Sequence, residues 1–230
     1  MYLVQKLWMS DTKGYVLEHT PAFSKKMLKQ GLGTYDDNMF KYNLNQSIGL
    51  LLKSICPKLK ALHDNGYVHM DIKTHNICMD WDKDKNKALG FGLIDFELIS
   101  KNGRQLPDCI GTIGRHSPEM IVKDKTKVVI TDKFDIYALG ITIIELINGK
   151  HPYLEELRKL YKNKEIANCE YYGFLKGRFI FDMVSNDEVL KKREHHFFKH
   201  LVYHMILPNS KKRYNIDQVM AHKWYKSHCV

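Results

Sequence analysis

A chain of 230 residues, 44% hydrophobic and 27% charged, is long enough to bury a core without disulfide or metal staples, as one large domain or two small ones. Its five cysteines are odd in number and contain no C-x-x-C pair, which excludes a disulfide framework and fits reduced thiols in the cytoplasm or nucleus. The net charge of +10 admits a nucleic-acid surface, but no aromatic residues interleave the basic runs Lys191–Arg193 and Lys211–Arg213, so a solvated lysine-rich surface is the simpler account.

In chain order, residues 2–8 read as a short strand, with no secretory signal in MYLVQKLWMSD. Residues 35–39 open a helix. From Phe40 to His63 the apolar residues Ile48, Leu51, Leu52, Ile55, Leu59 and Leu62 recur at helical spacing and form one buried stripe. Asp64-Asn65-Gly66 stops that helix. NICMDW and GFGLIDFEL follow as two apolar runs separated by the polar turn DKDKNKALG, which predicts a hairpin. Residues 100–117 are turn-rich and irregular. A strong helix is expected over about Asp135–Asn148, closed by Gly149, with further helices to the C-terminus. Its apolar run, IYALGITIIELI, contains Glu145 and is too short to span a bilayer. His196, His200 and His204 share one face of a later helix. That spacing permits a metal site, but no carboxylate or cysteine completes the set, so a half-buried helix with frequent histidines is the preferred reading. The expected fold class is mainly α, with a small β hairpin.

The loop YVHMDIKTHNICMD sets an aspartate, a lysine and an asparagine in the order D-x-K-x-x-N, between a helix and an apolar strand. Alone, such residues could simply cap a turn. IDFE, GTIGRHSPE, DIYALG and KKRYNIDQVMAHKWY follow it, however. Over residues 40–226 the set resembles, in order and spacing, the large lobe of the eukaryotic-type protein kinases. The resemblance implies a large helical lobe of an α+β family fold, and Ser/Thr-directed transfer of the ATP γ-phosphate to protein hydroxyls. It implies Asp71 as catalytic base, Lys73 as the cation near the γ-phosphate, and Asn76 and Asp95 as the two Mg²⁺ ligands. Phosphoryl transfer depends on such positioning and charge neutralisation more than on covalent help. It also implies that Ile77, Cys78 and Met79 floor the adenine site, that His69 and Phe96 stack, and that Asp135 binds the catalytic-loop backbone. Thr112 would mark Ser/Thr rather than Tyr specificity. Glu119 and Arg213 would form a buried ion pair, which makes Arg213 structural rather than nucleic-acid binding.

Three departures from the family pattern stand out. Met70 replaces the arginine that clamps a phosphorylated activation loop. Glu97 replaces the glycine of D-F-G and adds negative charge near the metal ligands. Residues 1–39 contain no glycine-rich loop and no V-A-I-K lysine. They read as a hinge-like strand with Gln5 at the gatekeeper position, followed by a linker, within a single kinase-like domain over 1–230. The small lobe is therefore expected to be missing. The partners expected are a protein substrate and a full-length kinase or a chain supplying a small lobe, with no membrane. A catalytically inactive mimic that docks on another kinase or its substrate is the alternative. A nucleic-acid module has only the net charge in its favour.

Overall fold

A computed structural model describes residues 15–16, 37–82, 87–106, 110–112, 114–120, 128–148 and 196–229. The strand expected at 2–8, Gln5, Gly149 and most of the expected linker lie outside these residues.

Helix α1 spans Asp37–Asp64 and ends where the sequence predicts. Gly66 turns the chain out of it with φ 75°. Of the predicted stripe, Ile48, Leu51, Leu52, Ile55 and Leu59 are buried and Leu62 packs against the core. Strand β1 (Tyr15–Val16) pairs antiparallel with β3 (Ile77–Asp82), which pairs antiparallel with β4 (Lys87–Leu93), giving the order β1-β3-β4. The hairpin differs from expectation at both ends of its second strand. β4 begins at Lys87 rather than Gly90, because a register shift between Asp80 and Trp81 lets the ladder continue to Trp81↔Ala88 and Asp82↔Lys87. It stops at Leu93, short of the predicted Leu98, because Asp95 takes the left-handed conformation (φ 63°), which cannot extend a strand.

The segment expected to be irregular contains two short pairings. Strand β2 (Tyr67–Val68) joins β5 (Ser100–Lys101), and β6 (Gln105–Leu106) joins β7 (Val128–Val129). These bridges lack the alternating run that a sequence pattern detects.

Helix α2 covers Lys133–Asn148, so Asp135 lies in its first turn rather than at its opening. Phe134, Tyr137, Leu139, Ile141 and Ile144 are all buried, on every side of the helix. A helix apolar all round belongs inside a protein. Helix α3 (His196–Met205) packs against it and buries Phe198, Leu201, Val202 and Met205. Gly140 permits this contact, since a Cβ there would meet Ile206 Cγ2 at 2.5 Å. Helices α4 (Ile216–Ala221) and α5 (Lys223–His228) close the core against α1. Among the described residues no helix is long and apolar enough to cross a membrane. Cys56, Cys78 and Cys229 are free and buried.

His200 and His204 are tied into a ring cluster. His222 caps α5 by accepting the Trp224 N–H at Nδ1 (3.2 Å). Its proton therefore sits on Nε2 and is donated to His200 Nδ1, 3.0 Å away. His204 donates from Nδ1 to the His200 carbonyl (2.8 Å) and stacks on Tyr214. The chain requires neutral His200 and His222. Burial, reinforced by the neighbouring histidines, holds both below the usual imidazole range. Because the unfolded chain protonates these rings at a higher pH than the folded one, stability is full above about pH 6.5 and declines as the pH falls below it. A lower melting temperature at pH 5.5 than at pH 7.5 is expected. His222→Asn, which keeps a capping oxygen, should flatten part of that dependence.

Candidate active site

Two left-handed or tightly held backbone points shape the catalytic loop. After β2, the His69 and Met70 N–H groups both donate to Asp135, at 2.8 and 2.9 Å. Met70 takes φ 73° there. His63 Nε2, at the end of α1, supplies a third contact to the same carboxylate at 2.9 Å. Asp135 is 1% exposed, and a carboxylate so deeply buried needs such partners. The loop is thereby anchored to α2, and His69 packs against Phe96 with ring centroids 4.9 Å apart and the planes tilted by 53° rather than stacked. Gly111 lies against the loop from the other side. With φ 107°, and with a Cβ that would stand 2.8 Å from the Met70 carbonyl oxygen, this position admits only glycine without rearrangement.

On this frame Asp71, Lys73, Asn76 and Thr112 converge. Lys73 Nζ donates to Asp71 Oδ2 (2.6 Å) and to Thr112 Oγ1 (2.9 Å). The Thr112 hydroxyl donates in turn to Asp71 Oδ1 (2.6 Å). Asn76 Nδ2 donates to the Asp71 carbonyl and to Oδ2, each at 2.9 Å. Burial pushes the Asp71 carboxyl upward, but the bonds from Lys73, Thr112 and Asn76 outweigh it and hold the group below the usual carboxylate range. Asp71 is therefore an ionised acceptor, which a proton-accepting base must be.

Asn76 closes a single 3-10 turn (Thr74–Asn76), and its carbonyl accepts the Ile94 N–H at 3.0 Å. That bond brings the start of the segment carrying Asp95 to the catalytic loop. With its amide nitrogen committed to Asp71, Asn76 offers a cation its Oδ1. Asp95, half-buried, offers a carboxylate. Hard oxygens of this kind could hold Mg²⁺, which fills the rest of its shell with water and phosphate. Among the described residues no cluster of three or more His, Cys, Asp or Glu side chains forms a metal site. Ile77, Cys78 and Met79 are buried in β3, with Cys78 and Met79 paired to Val16 and Tyr15.

A family model described as the protein kinase domain matches residues 17–225. The chain belongs to the protein kinase family. Its fold is the mainly helical kinase lobe with few short strands. This kinase domain is 33% identical over 161 residues to "Mitogen-activated protein kinase kinase kinase 5" of Homo sapiens, covering 66% of the chain and 11% of that protein. It is 30% identical over 178 residues to "Serine/threonine-protein kinase CLA4" of Saccharomyces cerevisiae, covering 71% of the chain and 20% of that protein. The "Serine/threonine-protein kinase shk1/pak1" of Schizosaccharomyces pombe is 28% identical over 181 residues, covering 78% of the chain and 24% of that protein. The chain thus spans well under half the length of these curated relatives.

Within the kinase domain two structural contacts escape any reading of local sequence. His63 reaches Asp135 from 72 residues away. Arg115 pairs with Glu145 of α2, and both are buried.

Proposed function

We propose that this chain transfers the ATP γ-phosphate to serine or threonine hydroxyls of a protein substrate. The observation that carries the reading is the single network in which Lys73, Asn76 and Thr112 all bond the ionised Asp71. In it Asp71 takes the proton of the incoming hydroxyl, and Lys73 carries positive charge towards the moving phosphoryl group. Mg²⁺ held by Asn76 and Asp95 would neutralise phosphate charge. The Ile77–Met79 strand, Cys78 included, forms the adenine floor. We place the activity in the cytoplasm or nucleus, in keeping with the free cysteines.

The test is transfer of labelled γ-phosphate from Mg²⁺·ATP to a Ser/Thr protein substrate, which should appear with the wild type and be lost in Asp71→Asn. Absence of both transfer and nucleotide binding refutes the catalytic reading. A second reading, a docking mimic that regulates another kinase or its substrate, is favoured by Glu97. This side chain is exposed where the family has glycine.

Activity should not require activation-segment phosphate. Met70 lacks a guanidinium to read one. Between Asp95 and Glu119 the only hydroxyl residues are Ser100, Thr112 and Ser117. Ser100 and Ser117 are buried and Thr112 is bonded to Asp71. Phosphatase treatment is expected to leave the rate unchanged, and a large loss would place the regulatory phosphate elsewhere.

A further inference from the structure

We infer that Arg115 and Glu145 are positioning residues: their buried ion pair fixes the turn that holds the Thr112 hydroxyl on Asp71. The functional part of this inference rests on the kinase reading above; the structural part does not. Arg115 lies in the activation segment and Glu145 on α2, and their side chains are 6% and 2% exposed. A buried charge is tolerated only beside its partner, so this pair is a fixed point in the fold. The Arg115 N–H donates to the Thr112 carbonyl at 3.0 Å, closing a tight turn over residues 112–115. Thr112 therefore sits one turn from the fixed point.

At the other side of Thr112, Gly111 is seated against the Met70 carbonyl with no room for a Cβ. Thr112 is thus held on both sides, by Gly111 and by its carbonyl's bond from Arg115, and its hydroxyl bonds both Asp71 and Lys73. Glu145 also accepts the Thr74 hydroxyl at 3.5 Å, so one carboxylate on α2 faces the activation segment and the catalytic loop together. An anion built into the fold thereby orders this segment through an arginine, which is the work an added phosphate can perform opposite a loop arginine. The arrangement supplies a physical reason for phosphate independence.

The experiment replaces the pair by apolar residues, Arg115→Met with Glu145→Leu, because exchanging both partners of a buried pair can preserve the fold where removing one does not. Amide hydrogen exchange is read at residue 115 and in α1 and α2. The expected result is exchange at residue 115 accelerated by about tenfold while the helices keep their protection. In the kinase assay kcat should fall by about tenfold with the KM for Mg²⁺·ATP unchanged, the pattern of lost positioning rather than lost binding. Arg115→Lys, which keeps the charge but not the planar fork, should fall between the two. Wild-type exchange at residue 115 in the folded double variant overturns the proposal. If the double variant does not fold, Arg115→Lys decides: unchanged exchange there overturns it equally. If the wild type transfers no phosphate under any condition, the kinase reading fails, and exchange at residue 115 still decides whether the pair holds the turn.

Discussion

Arg213→Ala should lower the free energy of unfolding by roughly 3 kcal/mol, the low end of the scale for breaking a buried ion pair, because the Glu119 side chain left behind is 20% exposed and reaches water. The Arg213 side chain is fully buried and its fork meets Glu119 twice, Nη1 to Oε1 at 2.6 Å and Nη2 to Oε2 at 2.8 Å. Its remaining N–H groups donate to the carbonyls of Leu207 (2.8 Å), Lys133 (3.0 Å) and Pro208 (3.4 Å). The guanidinium also lies over the Tyr137 ring, 4.9 Å from its centroid. Every donor of the side chain is therefore used, and three pieces of the fold meet on it: the 3-10 turn Pro118–Met120, the start of α2 and the loop after α3. Alanine leaves Glu119 without its counter-charge and removes a donor from each of three carbonyls. Lysine keeps the charge but cannot reproduce the fork, so Arg213→Lys should recover only part of the loss. Urea midpoints of the three proteins measure this. A midpoint unmoved in the alanine variant would remove Arg213 from the structural core and reopen a surface role for this basic run.

The positions legible in the sequence share one property: their meaning is carried by near neighbours in the chain. The α1 stripe from Ile48 to Leu62 follows from helical spacing alone. Asp71, Lys73 and Asn76 follow from the resemblance that their loop carries together with the later motifs, and the structure brings all three together. Asp135, Glu119, Arg213 and the His69–Phe96 contact are accessible through resemblance, because each sits inside a motif. What remained hidden depends on contacts between distant segments that no spacing encodes. Arg115 meets Glu145 across 30 residues, and nothing local distinguishes Arg115 from a surface cation. The β2–β5 and β6–β7 bridges involve two residues per strand, too few to show a period. The early end of β4 turns on the backbone of Asp95, a conformation that aspartate tolerates but does not announce.

The opposite variants Asp71→Asn and Asp95→Asn should divide chemistry from binding. Asn76 and Asp95 carry the oxygens assigned to Mg²⁺, whereas the Asp71 carboxylate is already engaged by Lys73, Thr112 and Asn76. In the wild type, Mg²⁺·ATP at 100 times its dissociation constant should stabilise the fold by about 2.7 kcal/mol, seen as a rise in melting temperature that EDTA abolishes. Asp95→Asn should remove that rise by replacing a carboxylate ligand with a neutral amide. Asp71→Asn should keep it, because the binding oxygens and the Asp135 anchor of the loop are untouched. Phosphoryl transfer should nevertheless fall by at least about 100-fold in Asp71→Asn, since an amide cannot accept the hydroxyl proton at neutral pH. Loss of the nucleotide-dependent rise in Asp71→Asn would mean that Asp71 belongs to the binding site, and a rise retained in Asp95→Asn would remove Asp95 from the ligand set. A wild type with no metal-dependent rise even at high nucleotide would leave the network of Asp71 without a phosphate to act on. The docking mimic, with its exposed Glu97, would then be the better account of why this lobe is folded at all.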